Sequence, residues 1–105
     1  MQEAISEITV EEAKKKWESK SATFLDIRDP GSFAQAHIPD AIPIDQEKAE
    51  EIIGTWDKER ELIICCYHGN TSYGVAGYFM ENGFKNVASL SGGFELWRTC
   101  APVTQ

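Results

Sequence analysis

The segment Cys66-Tyr67-His68-Gly69-Asn70-Thr71-Ser72 sets a potential nucleophile beside a glycine, an asparagine and two hydroxyl residues. Cysteine attacks as the thiolate, which is favoured where backbone N–H groups converge or a helix begins. Gly69 can take positive φ and Asn70 tolerates it better than most residues, so several N–H groups can turn toward one point. Such a nest holds negative charge without a formal cation. The chemistry it suits is sulfur transfer: the Cys66 thiolate attacks the outer sulfur of a donor such as thiosulfate, sulfite leaves, and a second nucleophile later removes the sulfur from the persulfide. Cys66 is the candidate nucleophile, and Tyr67, His68, Gly69, Asn70, Thr71 and Ser72 are the candidate donor-binding residues.

Other reactive side chains read differently. Cys65 precedes Cys66 in an apolar run and points to the opposite side of a strand by period-two alternation, which suits a structural thiol. Cys100 reads as a tolerated surface or half-buried thiol. His68 is compatible with donating to a bound anion and equally with facing solvent, since a neutral imidazole is a modest anion ligand. His37 reads as a hydrogen-bonding structural residue, and Asp26 and Arg28 as charges that hold loops or a helix end together. A zinc site from Cys65, Cys66 and His68 fails, because adjacent strand residues point apart and a fourth ligand is missing. No Walker or Rossmann glycine pattern is present, so no cofactor is expected.

The elements that position this segment follow from the pattern of apolar residues. Glu61-Leu62-Ile63-Ile64-Cys65 reads as a central strand that delivers Cys66 at its carboxyl end, and a helix is expected from Ser72 to a stop at Asn82-Gly83. Upstream, a strand over Ala4 to Ile8 leads into a helix boxed by Thr9 and Glu12 that runs to about Ser19 and turns Ala13 and Trp17 to the core. Ala22 to Ile27 reads as a buried strand, Asp29-Pro30-Gly31 as a turn, and Ser32 to Ala36 as a short helix. Ala41 to Ile44 is a very short strand confined to an edge by Pro43, followed by a helix from a cap at Asp45 through Ile53. Val87 to Leu90 forms another strand, Gly92-Gly93 breaks the chain, and Phe94 to Trp97 starts a last helix whose aromatics, Trp97 included, reach the core. Strands alternating with helices imply βαβ crossovers, hence an α/β fold with a largely parallel sheet of about five strands and helices on both faces.

At 105 residues, with 42% hydrophobic and 26% charged residues, the chain is expected to form one globular domain over 1–105. Its net charge of −7 argues against nucleic acid and acidic membranes as partners. No stretch approaches a membrane span or a leader h-region, and three cysteines with two adjacent do not suit a secreted disulfide framework, so a cytoplasmic protein is expected.

Three ordered segments carry a resemblance to a known family. Asp26-Ile27-Arg28-Asp29, then Phe33, Ala36-His37-Ile38-Pro39 and Ala41, is similar to the first signature of the single-domain rhodaneses, with Ala36 and Asp40 where that signature has glycines. Cys66 to Thr71 has the length of the family's active-site loop with Gly69 in the usual place, and Gly92-Gly93-Phe94-Glu95-Leu96-Trp97 resembles its closing Gly-Gly-x-x-x-Trp. The resemblance implies a rhodanese-like fold and transfer of sulfur from thiosulfate through a Cys66 persulfide to cyanide, a dithiol or a thioredoxin-like acceptor. Many members carry Arg or Lys in the loop. This loop carries neither, which implies weaker donor binding. The alternatives are a persulfide carrier for a protein partner, a noncatalytic binding module, and a cysteine phosphatase or arsenate reductase. Those last enzymes resemble Cys-x5-Arg, and the arginine position here is Ser72.

Overall fold

The computed structural model describes residues 5–105. Its strands are β1 (Ser6–Ile8), β2 (Thr23–Asp26), β3 (Ile42–Pro43), β4 (Glu61–Cys65) and β5 (Asn86–Leu90). Between and after them lie the helices α1 (Val10–Ser19), α2 (Pro30–Gln35), α3 (Gln46–Thr55), α4 (Asn70–Glu81) and α5 (Gly93–Trp97). All neighbouring strands pair in parallel, in the order β1-β5-β4-β2-β3. This is the α/β architecture expected from the alternation of strands and helices, with β4 central and the proline-bearing β3 at an edge. The expected start of the first strand at Ala4 lies outside the described residues.

Short polar side chains set the helix boundaries. Thr9 Oγ1 accepts the Glu12 N–H at 3.2 Å and starts α1, and Asp45 Oδ1 accepts the Lys48 N–H at 2.8 Å and starts α3. At α2 the expected turn is itself the helix start: Asp29 accepts the Ser32 N–H at 3.0 Å and Pro30 occupies the first helical position. Proline fits there because its missing N–H would have had no intrahelical acceptor and its φ is already helical.

The period-two alternation of the strands sorts the core into two layers. Phe24, Ile63, Cys65 and Leu90 face one side and pack with Val10 and Ala13 of α1 and Phe94 and Trp97 of α5. Leu25, Leu62, Ile64 and Val87 face the other and pack with Ala49 and Ile52 of α3 and Ala76 and Phe79 of α4. Covered on both faces, β4 is apolar without interruption from Leu62 to Cys65, as a central parallel strand must be. Among the described residues no helix is long and apolar enough to cross a membrane.

Trp97 closes the first layer. It is fully buried, meets Trp17 and Phe24 edge to face at 6.3 and 5.5 Å, and donates its indole N–H to the Pro102 carbonyl at 2.7 Å. Trp97→Ala therefore removes an aromatic contact set and leaves a cavity, and is expected to lower the unfolding free energy by about 3–5 kcal/mol. Urea denaturation followed by far-UV circular dichroism checks this, and a loss below about 1 kcal/mol would show that the layer collapses around the missing ring.

Candidate functional site around the Cys66 loop

Cys66 follows the last residue of β4, and its sulfur lies in a cradle made by the next six residues. The Gly69 N–H donates to Sγ at 3.1 Å, the Ser72 N–H donates at 3.3 Å, and Ser72 Oγ stands 3.2 Å away. Gly69 makes the bend at φ 96°, a backbone state open to glycine at little strain. Helix α4 begins at Asn70 instead of the expected Ser72, and no side-chain oxygen caps it. The first N–H groups of a helix have no intrahelical acceptor. Here the Cys66 sulfur accepts one of them, so it occupies the place of a capping oxygen.

These contacts decide the ionisation of Cys66. The residue is only 5% exposed, and burial by itself pushes the thiol up. The hydrogen bonds from the Ser72 hydroxyl and from the Ser72, Gly69 and His68 N–H groups outweigh burial and hold the thiol below its ordinary value. Cys65, one residue away, lies in the opposite layer, and burial outweighs the Phe94 N–H there and pushes the thiol well above its usual range.

On the other side of the loop two carbonyls are held from behind. The Cys66 carbonyl accepts the Phe94 N–H at 2.7 Å, and the Tyr67 carbonyl accepts the Glu95 N–H at 3.0 Å. In a trans peptide C=O and N–H point in opposite directions, so anchoring these two carbonyls on α5 turns the Tyr67 and His68 N–H groups the other way. Gly93 makes this approach feasible. A Cβ there would lie 2.5 Å from the Tyr67 carbonyl carbon and oxygen and 2.6 Å from the Cys66 carbonyl oxygen.

The remaining residues singled out in the sequence are distributed around this cradle. The Tyr67 hydroxyl is engaged by Asp29 and Ser32 at the start of α2, and these contacts hold the Asp29 carboxyl down at about 2. His68, Asn70 and Thr71 are exposed, and among the described residues the His68 ring makes no hydrogen bond. Asp26 and Arg28 form a buried pair at 2.8 Å. The guanidinium also donates to the Ala36 carbonyl at 2.7 Å and lies 4.0 Å from the Phe94 ring centre and 5.6 Å from that of Tyr67. His37 sits apart: its ring stacks on Phe33, Nδ1 is 2.7 Å from the Phe33 carbonyl, and its backbone bridges Thr104. Gly92 caps α5 at φ 77°, Trp97 lies in the core, and Cys100 is exposed. Sequence reasoning passed over Ser89, whose hydroxyl is 2.7 Å from Ser72 Oγ, and the α5 amides. Neither leaves a signal, since one is a lone serine in a strand and the other is main chain. Among the described residues no three His, Cys, Asp or Glu side chains cluster to hold a metal.

Gly93→Ala is expected to force the α5 turn away from the loop and to lower Cys66 reactivity toward iodoacetamide at neutral pH by about tenfold or more, the equivalent of about 1.4 kcal/mol. Native circular dichroism with unchanged alkylation would show that the loop holds its shape without α5.

A family model, the Rhodanese-like domain, matches residues 9–100. The chain is 42% identical over 102 residues to the thiosulfate sulfurtransferase GlpE of Pseudomonas aeruginosa strain LESB58, covering 97% of this chain and 92% of that protein. Among solved structures, a rhodanese-like domain protein from Staphylococcus aureus superposes with a TM-score of 0.77 at 29% identity, over 89% of this chain and 91% of that one. A rhodanese-related protein from Thermoplasma volcanium has the same fold at a TM-score of 0.81 and 23% identity, over 94% and 97% of the two chains. The extent of the family match and the full-length relative together show that the chain belongs to the rhodanese-like domain family.

Proposed function

We propose that the chain is a thiosulfate sulfurtransferase in which Cys66 carries the transferred sulfur. The observation that bears most weight is the Cys66 sulfur held by two peptide N–H groups and one hydroxyl at 3.1–3.3 Å. The name of the P. aeruginosa relative supports thiosulfate as donor.

In the first half-reaction the Cys66 thiolate attacks the outer sulfur of thiosulfate. A Cys66–S bond forms, the S–S bond of the donor breaks, and sulfite leaves with the electron pair. The charge then sits on the outer sulfur of the persulfide, near the first turn of α4. In the second half-reaction a thiophilic nucleophile bonds to that outer sulfur and the Cys66 thiolate departs. Cyanide yields thiocyanate, and a dithiol such as that of a thioredoxin-like protein yields its disulfide and hydrosulfide. Tyr67 holds the loop through Asp29 and Ser32, while Gly69 and Ser72 contact the sulfur and His68, Asn70 and Thr71 border its mouth.

A phosphatase or arsenate reductase needs a guanidinium on its oxyanion. The position of that guanidinium is Ser72, and Arg28 is spent on Asp26 and Ala36. A persulfide carrier uses the same cradle and differs only in taking sulfur from a protein. The three free thiols suit a reducing compartment, and we place the reaction in the cytoplasm.

Incubation with thiosulfate is expected to add one sulfur atom to the mass of the protein, and cyanide to remove it. Cys66→Ser abolishes both, while Cys65→Ser keeps them, because a hydroxyl without a base is a poor nucleophile. Equal loading of the wild type and Cys66→Ser would overturn the assignment.

The pH dependence follows from the lowered thiol. Its ordinary value is 9.0, and the native value lies below that, so the cradle contacts stabilise the fold above 9.0 and that contribution fades as pH falls through the native value. The alkylation rate of Cys66 should accordingly show its inflection at lower pH in native protein than in urea-unfolded protein. Coincident inflections would show that burial cancels the hydrogen bonds.

A further inference from the structure

Ser89 occupies an interior strand position where an aliphatic residue would ordinarily sit. It is 1% exposed, lies on β5 and points with Val87 toward α4. Its hydroxyl stands 2.7 Å from Ser72 Oγ, which is fully buried and 3.2 Å from the Cys66 sulfur. A further contact of 3.4 Å lets Ser89 donate to the Gly69 carbonyl. Two buried hydroxyls deprived of water recover their hydrogen bonds only from such neighbours. The result is a row of polar atoms that starts on the Gly69 carbonyl and ends on the sulfur.

We propose that Ser89 is a positioning residue for the Cys66 thiolate and acts through Ser72. The row has two proton arrangements over the same heavy atoms. With Cys66 protonated, its S–H donates to Ser72, Ser72 donates to Ser89, and Ser89 donates to the Gly69 carbonyl. When Cys66 loses its proton to solvent, both hydroxyls rotate: Ser72 donates to the sulfur and Ser89 donates to Ser72 Oγ. Receiving that bond polarises the Ser72 hydroxyl and strengthens its bond to the thiolate. Without Ser89 the Ser72 oxygen would keep a donor's role toward sulfur while its own lone pairs stayed unmet in a dry site.

The ionisable side chains on the elements around the sulfur do not supply this effect. Cys65 on β4, the Asp26–Arg28 pair after β2, Tyr67 and His68 in the loop, Tyr73 on α4 and Glu95 on α5 form no hydrogen bond to Sγ among the described residues. The hydroxyl row is the side-chain route by which β5 reaches the sulfur.

The proposal rests on the reading of Cys66 as the sulfur-bearing nucleophile, but its test uses no sulfur donor, so the two can fail separately. The pH dependence of iodoacetamide alkylation at Cys66 is measured by peptide mass spectrometry in wild type, Ser89→Ala, Ser72→Ala and the double variant, with circular dichroism as the check on folding. Ser89→Ala is expected to raise the inflection by roughly half a pH unit, about a threefold loss of thiolate below it. In the double variant the inflection should coincide with that of Ser72→Ala alone, because the proposed effect of Ser89 runs through the Ser72 hydroxyl and not through its contact with the Gly69 carbonyl. An unshifted inflection in Ser89→Ala, or an equal additional shift from Ser89→Ala on the Ser72→Ala background, would overturn the proposal.

Discussion

The hydrogen bonds from the Gly69 and Ser72 N–H groups to the Cys66 sulfur are the constraint around which the site is arranged. With Cys66 only 5% exposed, its sulfur can carry charge only if donors replace water. Peptide N–H groups are strong donors but cannot be aimed singly, since each is rigidly joined to a carbonyl facing the other way. Helix α5 takes the Cys66 and Tyr67 carbonyls from behind, which turns the Tyr67 and His68 N–H groups the other way, and Gly93 is the residue thin enough to let it approach.

The buried Asp26–Arg28 pair extends the same logic sideways. Arg28 joins the end of β2 to the Ala36 carbonyl and lays its guanidinium against Phe94 and near Tyr67. One planar cation thus touches three segments that border the loop, which a flexible ammonium would not do equally well. Removing only one partner of such a pair strands a buried charge, so the two residues behave as a unit in packing. The Arg28 guanidinium is consequently committed to Asp26 and the Ala36 carbonyl.

Much of the scaffold was legible because it rests on local rules. Leu62 to Cys65 is too short and too evenly apolar to be anything but a covered strand, Asp45 and Thr9 announce their helices, and Pro43 marks the sheet edge. The start of α4 was misplaced by two residues because capping rules look for oxygen, whereas the acceptor at this helix end is the Cys66 sulfur. Ser89 was invisible for another reason. Its partner lies 17 residues earlier on a different element, and nothing in a serine between Ala88 and Leu90 records that distance. Gly93 was read as part of a chain break, since the lack of space for a side chain is a property of the packed loop and not of the dipeptide.

The sulfur that caps α4 is also the atom proposed to bear the cargo, and this ties the state of the reagent to the integrity of a helix. A change in charge or bonding at Sγ alters what the Ser72 N–H can bond to, so the free energy of winding the first turn of α4 enters the chemistry of the sulfur. By the same linkage, anything that unwinds this turn raises the thiol. The helix is in this sense part of the reagent, and a partner that grips or frays its first turn acquires a means of control over the reaction without touching the cysteine.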